Sequence, residues 1–413
     1  MLHRACAGSS VIINFVIMQI ESIRLRNFKV YKDVELVDIP RLCILVGANG
    51  SGKSTLFDVF GFLKDCLTYN VSTALRGRGG FQEVVSRGAQ NESISIEIQY
   101  RMPITGKERL VTYALEIGVV ESKVCVKREI LCFKRGQYGS PFRFFDFTNG
   151  SGVAVTNEED FDKTDEELRK EEQTLESKDI LAIKGLGQFQ RFKTAAALRN
   201  LIENWHVSDF HISMARGSKE ATGETNHLST TGDNLQLVAR TLHDEYPEIF
   251  KKILDKMRQR VPGVDSINTE VTPDGRLLLK FSDGAFKDPF IDKFVSDGTI
   301  KMFAYLVLLH DPKPHPFLCI EEPENQLYPT LLEELAEEFR DYANRGGQVF
   351  VSTHSPDFLN AAQVEEVFWL EKKAGYSMVR RAKDDAQIVE YMKNGDKMGS
   401  LWKEGLFGRA NPQ

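Results

Sequence analysis

The chain has 413 residues, 42% of them hydrophobic and 27% charged. That is about two or three domains of ordinary globular composition and excludes wholesale disorder. With 53 basic and 59 acidic side chains the net charge is −6, which argues against a protein held to nucleic acid by bulk positive charge. Ten acidic and four basic side chains lie between Asn157 and Lys178; the remainder is neutral, so total charge is a poor guide to partners. The cysteines (Cys6, Cys43, Cys66, Cys125, Cys132, Cys319) include no CxxC pair. They suit a reducing cytosol, not a disulfide framework or a zinc site. No apolar run reaches the ~18 residues of a membrane span. Val11–Met18 imitates a targeting signal but lacks a small-residue cleavage site, and it reads as an extension before a second start at Met18.

Ile20, Ile23, Leu25 and Phe28 predict an opening strand. Leu42–Val46 is a continuous apolar run of the kind a buried parallel strand needs. A glycine loop follows at Gly47–Ser54, then Leu56, Val59, Phe60, Leu63 and Leu67 recur at helical spacing. Ile94, Ile96 and Ile98 alternate with polar residues, and similar runs at Leu110–Val120 and Lys123–Lys134 predict an antiparallel sheet with one wet face. Within the acidic stretch, Phe161, Leu168 and Leu175 are spaced by sevens, predicting a solvated helix or short helical arm. Residues 188–260 read as helical, with a loop at Arg216–Gly232. A hairpin over Ile267–Phe281 turns at Asp274-Gly275.

Towards the end, a helix runs from Ser296 to His310 and Phe317–Ile320 is a second buried strand. A helix from Pro329 carries Leu332, Leu335, Phe339 and Tyr342 and is stopped by Gly346-Gly347; Gln348–Thr353 is a third strand. A hairpin around Val367–Val379 and a tail with Trp402 close the chain.

Gly47-Ala48-Asn49-Gly50-Ser51-Gly52-Lys53-Ser54, followed by Thr55, matches GxxxxGK[ST]. The glycines let successive backbone N–H groups face a triphosphate, and the helix adds its positive end. Lys53 supplies a cation for the outer phosphates and the Ser54 hydroxyl a ligand for Mg²⁺. Glu321 and Glu322 end the Phe317 strand, where one carboxylate suits the metal's surroundings and the next can take a proton from the attacking water. Ser296-Asp297-Gly298 at a helix start offers a hydroxyl, a glycine N–H and a helix dipole; alone it is an ordinary N-cap. His354 follows the Gln348–Thr353 strand, at an edge from which an imidazole can reach a terminal phosphate.

In this order the motifs resemble the ATP-binding-cassette ATPase core, in the branch containing the RecF, SMC and OLD proteins. Ile23-Arg-Leu-Arg-Asn27-Phe28-Lys29 resembles that branch's opening strand, which implies that Asn27 and Phe28 lie near the nucleotide. Ser296-Asp-Gly298 is similar to the signature motif, Glu321-Glu322-Pro-Glu to the Walker B strand, Asn325–Tyr328 to the D-loop and His354 to the switch histidine. The wording EEPE and STHSP resembles the stand-alone bacterial ATPases (AAA_21-like) and the OLD ATPase half. SDG departs from the transporters' SGGQ, Glu321 stands at a usual Asp position, and Gln82 is a weak Q-loop candidate.

The resemblance implies an α/β fold: a P-loop ABC-type ATPase head with a mixed sheet, an antiparallel β subdomain and a helical insertion. It divides the chain into an extension (1–17), an ATPase lobe (18–135), a charged helical insertion (136–262), a second ATPase lobe (263–382) and a tail (383–413). It implies ATP and Mg²⁺, Glu322 as base with His354 and Lys53, and a homodimer that sandwiches two ATPs, in the cytoplasm without a membrane. Two loads are open: DNA-linked repair or phage defence, or regulation of a separately encoded nuclease or effector without DNA. Arg76, Arg78, Arg87, Lys184, Arg191, Lys193 and Arg199 are the candidate DNA contacts, against a reading as solvated surface. The residues after His354 are too few for the nuclease domain of OLD proteins.

Overall fold

A computed structural model describes residues 18–104, 107–134, 141–158, 160, 163, 167–217, 219–220 and 227–408. Strand Leu42–Gly47 is buried at every position. It runs parallel between Gln348–Thr353 and Val367–Lys373. The sheet continues on the first side through Phe317–Glu321 to Trp205–Ser208, both parallel. Tyr376–Arg381 closes the other edge antiparallel, after a turn with Ala374 and Gly375 both at positive φ, as a tight two-residue hairpin requires. The parallel strands therefore end at one edge, which carries Gly47, Glu321, Thr353 and Ser208 together.

Alternation divides this sheet between two cores. Cys43, Leu45, Phe317, Cys319 and Phe350 face one, and Leu42, Ile44, Val46, Leu318, Ile320, Val349 and Val351 face the other. Covered on both faces, the strands must read as unbroken apolar runs. The first core holds helix Lys53–Thr68, whose Phe60 packs on Trp205, Phe317 and Phe350 with ring centroids 5.3, 4.5 and 5.5 Å away. The second holds helices Leu235–Glu245, Pro247–Arg260, Asp297–Leu309 and Pro329–Asn344. Asp297–Leu309 is buried at every position from Thr299 on, so it is apolar nearly all round.

The antiparallel sheet has eight strands, running from Tyr31–Leu36 through Gln19–Phe28, Ile94–Ile104, Lys107–Val120 and Lys123–Phe133 to Phe142–Thr148, Ser151–Val155 and Lys170–Thr174. It thus continues beyond residue 135, where the sequence reading placed a boundary. The acidic stretch departs from expectation too: Lys170–Thr174 is an edge strand paired with Ser151–Val155, not a helix. Its charges keep an exposed sheet edge from pairing with another chain. Leu168 is buried and Phe161 lies outside the described residues. Residues 188–260 are not wholly helical either, since Trp205–Ser208 is a strand of the central sheet. The hairpin Ser266–Val271/Arg276–Ser282 forms as expected, with Gly275 at φ 78°. In the tail, Trp402 is buried and packs edge-on against Phe407, which also meets Trp369. Among the described residues the cysteines are unpaired, and no helix is long and apolar enough to cross a membrane.

Candidate functional site

The glycine loop leaves its strand under close constraint. A side chain at Gly47 would meet Ser51 Oγ at 2.5 Å and the Leu370 carbonyl at 2.7 Å. Gly50 and Gly52 sit at φ 72° and 111°, which L-residues with side chains rarely adopt. Beneath the loop, the Tyr31 hydroxyl donates to the Gly52 carbonyl at 2.7 Å and the Ser377 hydroxyl to the Ser51 carbonyl at 2.5 Å. Two sheets therefore fix the loop from below. Lys53 is buried, and its ammonium donates to the carbonyls of Gly47 (2.7 Å) and Ala48 (3.3 Å). Burial brings its pKa down to about 8, although Glu322, Glu324 and Glu321 pull it back up.

Ser54 Oγ donates to Glu321 Oε2 at 2.8 Å. Burial pushes the Glu321 carboxyl up, opposed by the Ser54 hydrogen bond and reinforced by Glu322 and Asp209. Glu322 stands one residue on at φ 41°, a strained conformation of the kind that gathers at functional sites. Its carboxylate meets His354 Nε2 at 3.0 Å through Oε1 and accepts from Asn325 Nδ2 at 3.0 Å through Oε2. Glu324 accepts from Thr353 Oγ1 (2.9 Å) and the His354 N–H (2.6 Å), locking the two strand ends together.

Ser296 Oγ caps its helix by accepting from the Thr299 N–H at 3.2 Å. Gly298 lies against the Gln326 carbonyl, which a β-carbon would approach to 2.8 Å. From the same helix, Lys301 donates to the Asn325 carbonyl at 2.7 Å. The Ser296 helix and the Asn325–Tyr328 turn thus form one packed unit. Arg216 secures the approach to it. Its guanidinium donates to the carbonyls of Asp292 (2.8 Å), Lys293 (2.9 Å) and Val295 (2.7 Å) and pairs with Asp297. Arg216, Asp297, Lys301, Asn325, Glu321 and Glu322 line a cleft of about 790 Å³. A second cleft of about 480 Å³ includes Ser54, Asp58 and Glu321, so the two meet at Glu321.

Not every expected residue comes to the site. Phe28 is fully buried against Phe62, with ring centroids 5.7 Å apart, and has no face left for a base. Asn27 donates to Glu92 (2.9 Å) and the Ser93 carbonyl (3.1 Å). The turn after the opening strand and the start of the next strand, Tyr31–Leu36, touch the loop instead, through Val30 and Tyr31. Gln82 is exposed on the short helix Phe81–Val84 and lines neither cleft. The strand beside Glu321 ends instead at Ser208-Asp209, which sequence reasoning missed, as it missed Arg216 and Glu324. Asp209 directly follows a four-residue strand, Trp205–Ser208, that has no distinctive pattern, and Arg216 acts through backbone carbonyls, which leave no spacing to detect.

The loop fits a triphosphate, with glycine-lined main chain, a helix start and a lysine ammonium converging on it. Ser54 and Glu321 form a pair of hard oxygen donors suited to Mg²⁺.

A family model described as "AAA domain, putative AbiEii toxin, Type IV TA system" (AAA_21) matches residues 42–360. The Old nuclease of Escherichia phage P2 is 20% identical over 237 residues, covering 46% of this chain and 40% of that protein. The chain thus spans under half the length of this curated relative. A solved SmcHead bound to the C-winged helix domain of ScpA superposes with a TM-score of 0.53 at 16% identity, over 87% of this chain and 96% of that one. An Smc head domain with an extended coiled coil from Pyrococcus furiosus gives 0.49 at 15%, over 91% and 100%. At such identities the likeness is one of fold, carried by the first of the two. With more than half its length matched and an SMC-head-like mixed α/β architecture, the chain belongs to the AAA_21 family of ATPase domains.

Proposed function

We propose that the protein is a nucleotide-switched dimer that binds and hydrolyses Mg·ATP. In this reading Gly47–Thr55 hold the phosphates and Lys53 neutralises the outer two. Ser54 and Glu321 would hold Mg²⁺, which when bound offsets phosphate charge and polarises the terminal phosphoryl group. Glu322 takes a proton from the attacking water, and His354 and Asn325 fix that carboxylate so that it faces the water in one orientation. The observation that carries the reading is the adjacency of two pairs, Ser54–Glu321 and Glu322–His354, at the ends of neighbouring strands.

The second unit supports dimerisation. In this reading Ser296, Asp297 and Gly298 meet a second copy's phosphate loop, and Phe294 and Tyr328 beside them are 72% and 76% exposed. Large apolar side chains left in water next to a packed functional unit mark an interaction surface. The test is mixed-subunit rescue. Lys53→Ala and Ser296→Arg should each abolish turnover, and mixing them should restore part of it, because one composite site per mixed dimer is then intact. Mixtures as inactive as their components contradict the dimer.

For the load, the reading favoured by kinship with the Old nuclease is DNA-linked repair or phage defence. A regulatory scaffold acting on a separately encoded nuclease or effector is the second reading, and the ion pairs favour it. Arg78 is held by Asp58 (2.7 Å) and Asp65 (2.8 Å), Arg191 by Glu171 (3.0 Å) and Arg199 by Glu203 (2.8 Å), so these cations are already partnered. DNA-stimulated turnover that fades as salt rises supports the first reading; no DNA binding at low salt supports the second.

A further inference from the structure

At the opposite end of the central sheet from the nucleotide loop, one side chain from a distant loop converges with two from a single loop. His227, Asp311 and His315 each present a ligand atom, all within 4.8 Å of one another. Asp311 and His315 are 4% and 8% exposed. His206, 3% exposed, packs its ring on His315 with centroids 4.9 Å apart, and the His227 ring lies 4.7 Å from His315 on centroids. His315 Nδ1 donates to the Asn204 carbonyl at 3.0 Å. That bond fixes the tautomer and leaves the lone pair on Nε2, which has no hydrogen-bond partner among the described residues. A buried, unpartnered ring nitrogen costs free energy, and an adjacent metal ion removes that cost.

The surrounding shell is built to match. Asp311 accepts from the Lys313 N–H at 2.7 Å through Oδ1 and meets His227 Nδ1 at 2.7 Å through Oδ2. The Lys313 N–H bond to Asp311 and the His315 bond to the Asn204 carbonyl come from outside the ligand set, and such outer hydrogen bonds characteristically orient metal-bound carboxylates and histidines. Two imidazoles and one carboxylate suit a borderline transition-metal ion, Zn²⁺ first, with a fourth position open to water or His206. Lys64 is the cation nearby, donating to the Trp205 carbonyl at 2.7 Å, and Asp311 supplies the opposing charge.

We propose that His227, Asp311 and His315 form a structural site for a zinc-class divalent ion. Asp311 follows the far end of the Asp297–Leu309 helix, and His315 precedes the strand ending at Glu321. The ion therefore staples the helix that begins at Ser296 to the strand that carries Glu321. Nothing in the cysteine pattern indicated it, because its ligands come from two loops well separated in sequence.

The test uses the full chain, stripped with chelator and dialysed against Zn²⁺ or Co²⁺ without nucleotide. One ion per chain is expected, with a Co²⁺ absorption band of low coordination number and a melting midpoint raised by a few degrees. His227→Ala, at the solvent-facing ligand, and His315→Gln should each weaken uptake at least about tenfold and cancel the shift. Glu321→Gln should keep both. Fluorescent-ATP binding reports that the histidine variants are folded, and circular dichroism reports it for Glu321→Gln. Absence of stoichiometric uptake, equal uptake by the histidine variants, or loss of uptake in Glu321→Gln overturns the proposal.

Discussion

The Ser54 hydroxyl donates to Glu321 at 2.8 Å across 267 positions of chain. The pair joins the helix that follows strand Leu42–Gly47 to the end of strand Phe317–Glu321, and these strands are not neighbours in the sheet, since the strand ending at Thr353 lies between them. That span makes it a sensitive point for metal-dependent function. Ser54→Ala should raise the Mg²⁺ concentration for half-maximal turnover by about 10–100-fold while leaving the thermal midpoint nearly unchanged. Magnesium titration of ATPase activity checks this; an unshifted titration contradicts the metal role of Ser54.

Lys53 supplies a pH test. Its pKa in the folded chain is about 8, lowered by burial from 10.5. Between those values the unfolded chain binds more protons, so this contribution to stability rises as pH climbs from about 8 to about 10. Lys301, also lowered to about 8 by burial, adds in the same direction. Triphosphate binding favours the charged ammonium, so at pH about 8.5 nucleotide binding should take up protons. Calorimetry in buffers of different ionisation heat measures the uptake, which should persist in Lys301→Met. Zero uptake above pH about 8 contradicts the assignment to Lys53.

Arg216 holds three consecutive-region carbonyls with one planar fork, which a lysine cannot reproduce. Arg216→Lys should free the Asp292–Val295 segment and misplace Ser296. Turnover should fall at least about tenfold with fluorescent-ATP affinity kept, and stability should drop by about 1–3 kcal/mol. A variant with wild-type turnover removes Arg216 from the functional unit.

Phe60 ties the helix after the loop to three strands of the central sheet. Phe60→Ala should cost about 3–5 kcal/mol, read as a lower denaturant midpoint. A smaller loss means that the neighbouring rings collapse into the space.

Features carried by contiguous residues were legible in the sequence. The Gly47–Ser54 loop, the apolar strand into Glu321-Glu322, the Ser296 cap and the His354 position are each local patterns, and the fold brings Ser54 to Glu321 and His354 to Glu322. Features that depend on which face or neighbour a residue meets were not. Ile20, Ile23, Leu25 and Phe28 predicted the opening strand, but only packing shows that Phe28 faces the core and that Tyr31 supports the loop. Four residues, Trp205–Ser208, become a strand because Phe317–Glu321 offers a free edge, a tertiary effect invisible in so short a run. The spacing of Leu168 and Leu175 by seven suggested a helix, yet pairing with Ser151–Val155 overrides it with an edge strand.

The central claim concerns Glu322, and the direct measurement is the Glu322→Gln protein with Mg·ATP, followed by turnover and by light scattering for mass. Turnover reduced by about 10²-fold or more, with ATP retained and the population shifted to dimer, is the predicted result. Wild-type hydrolysis by this variant would contradict Glu322 as the base.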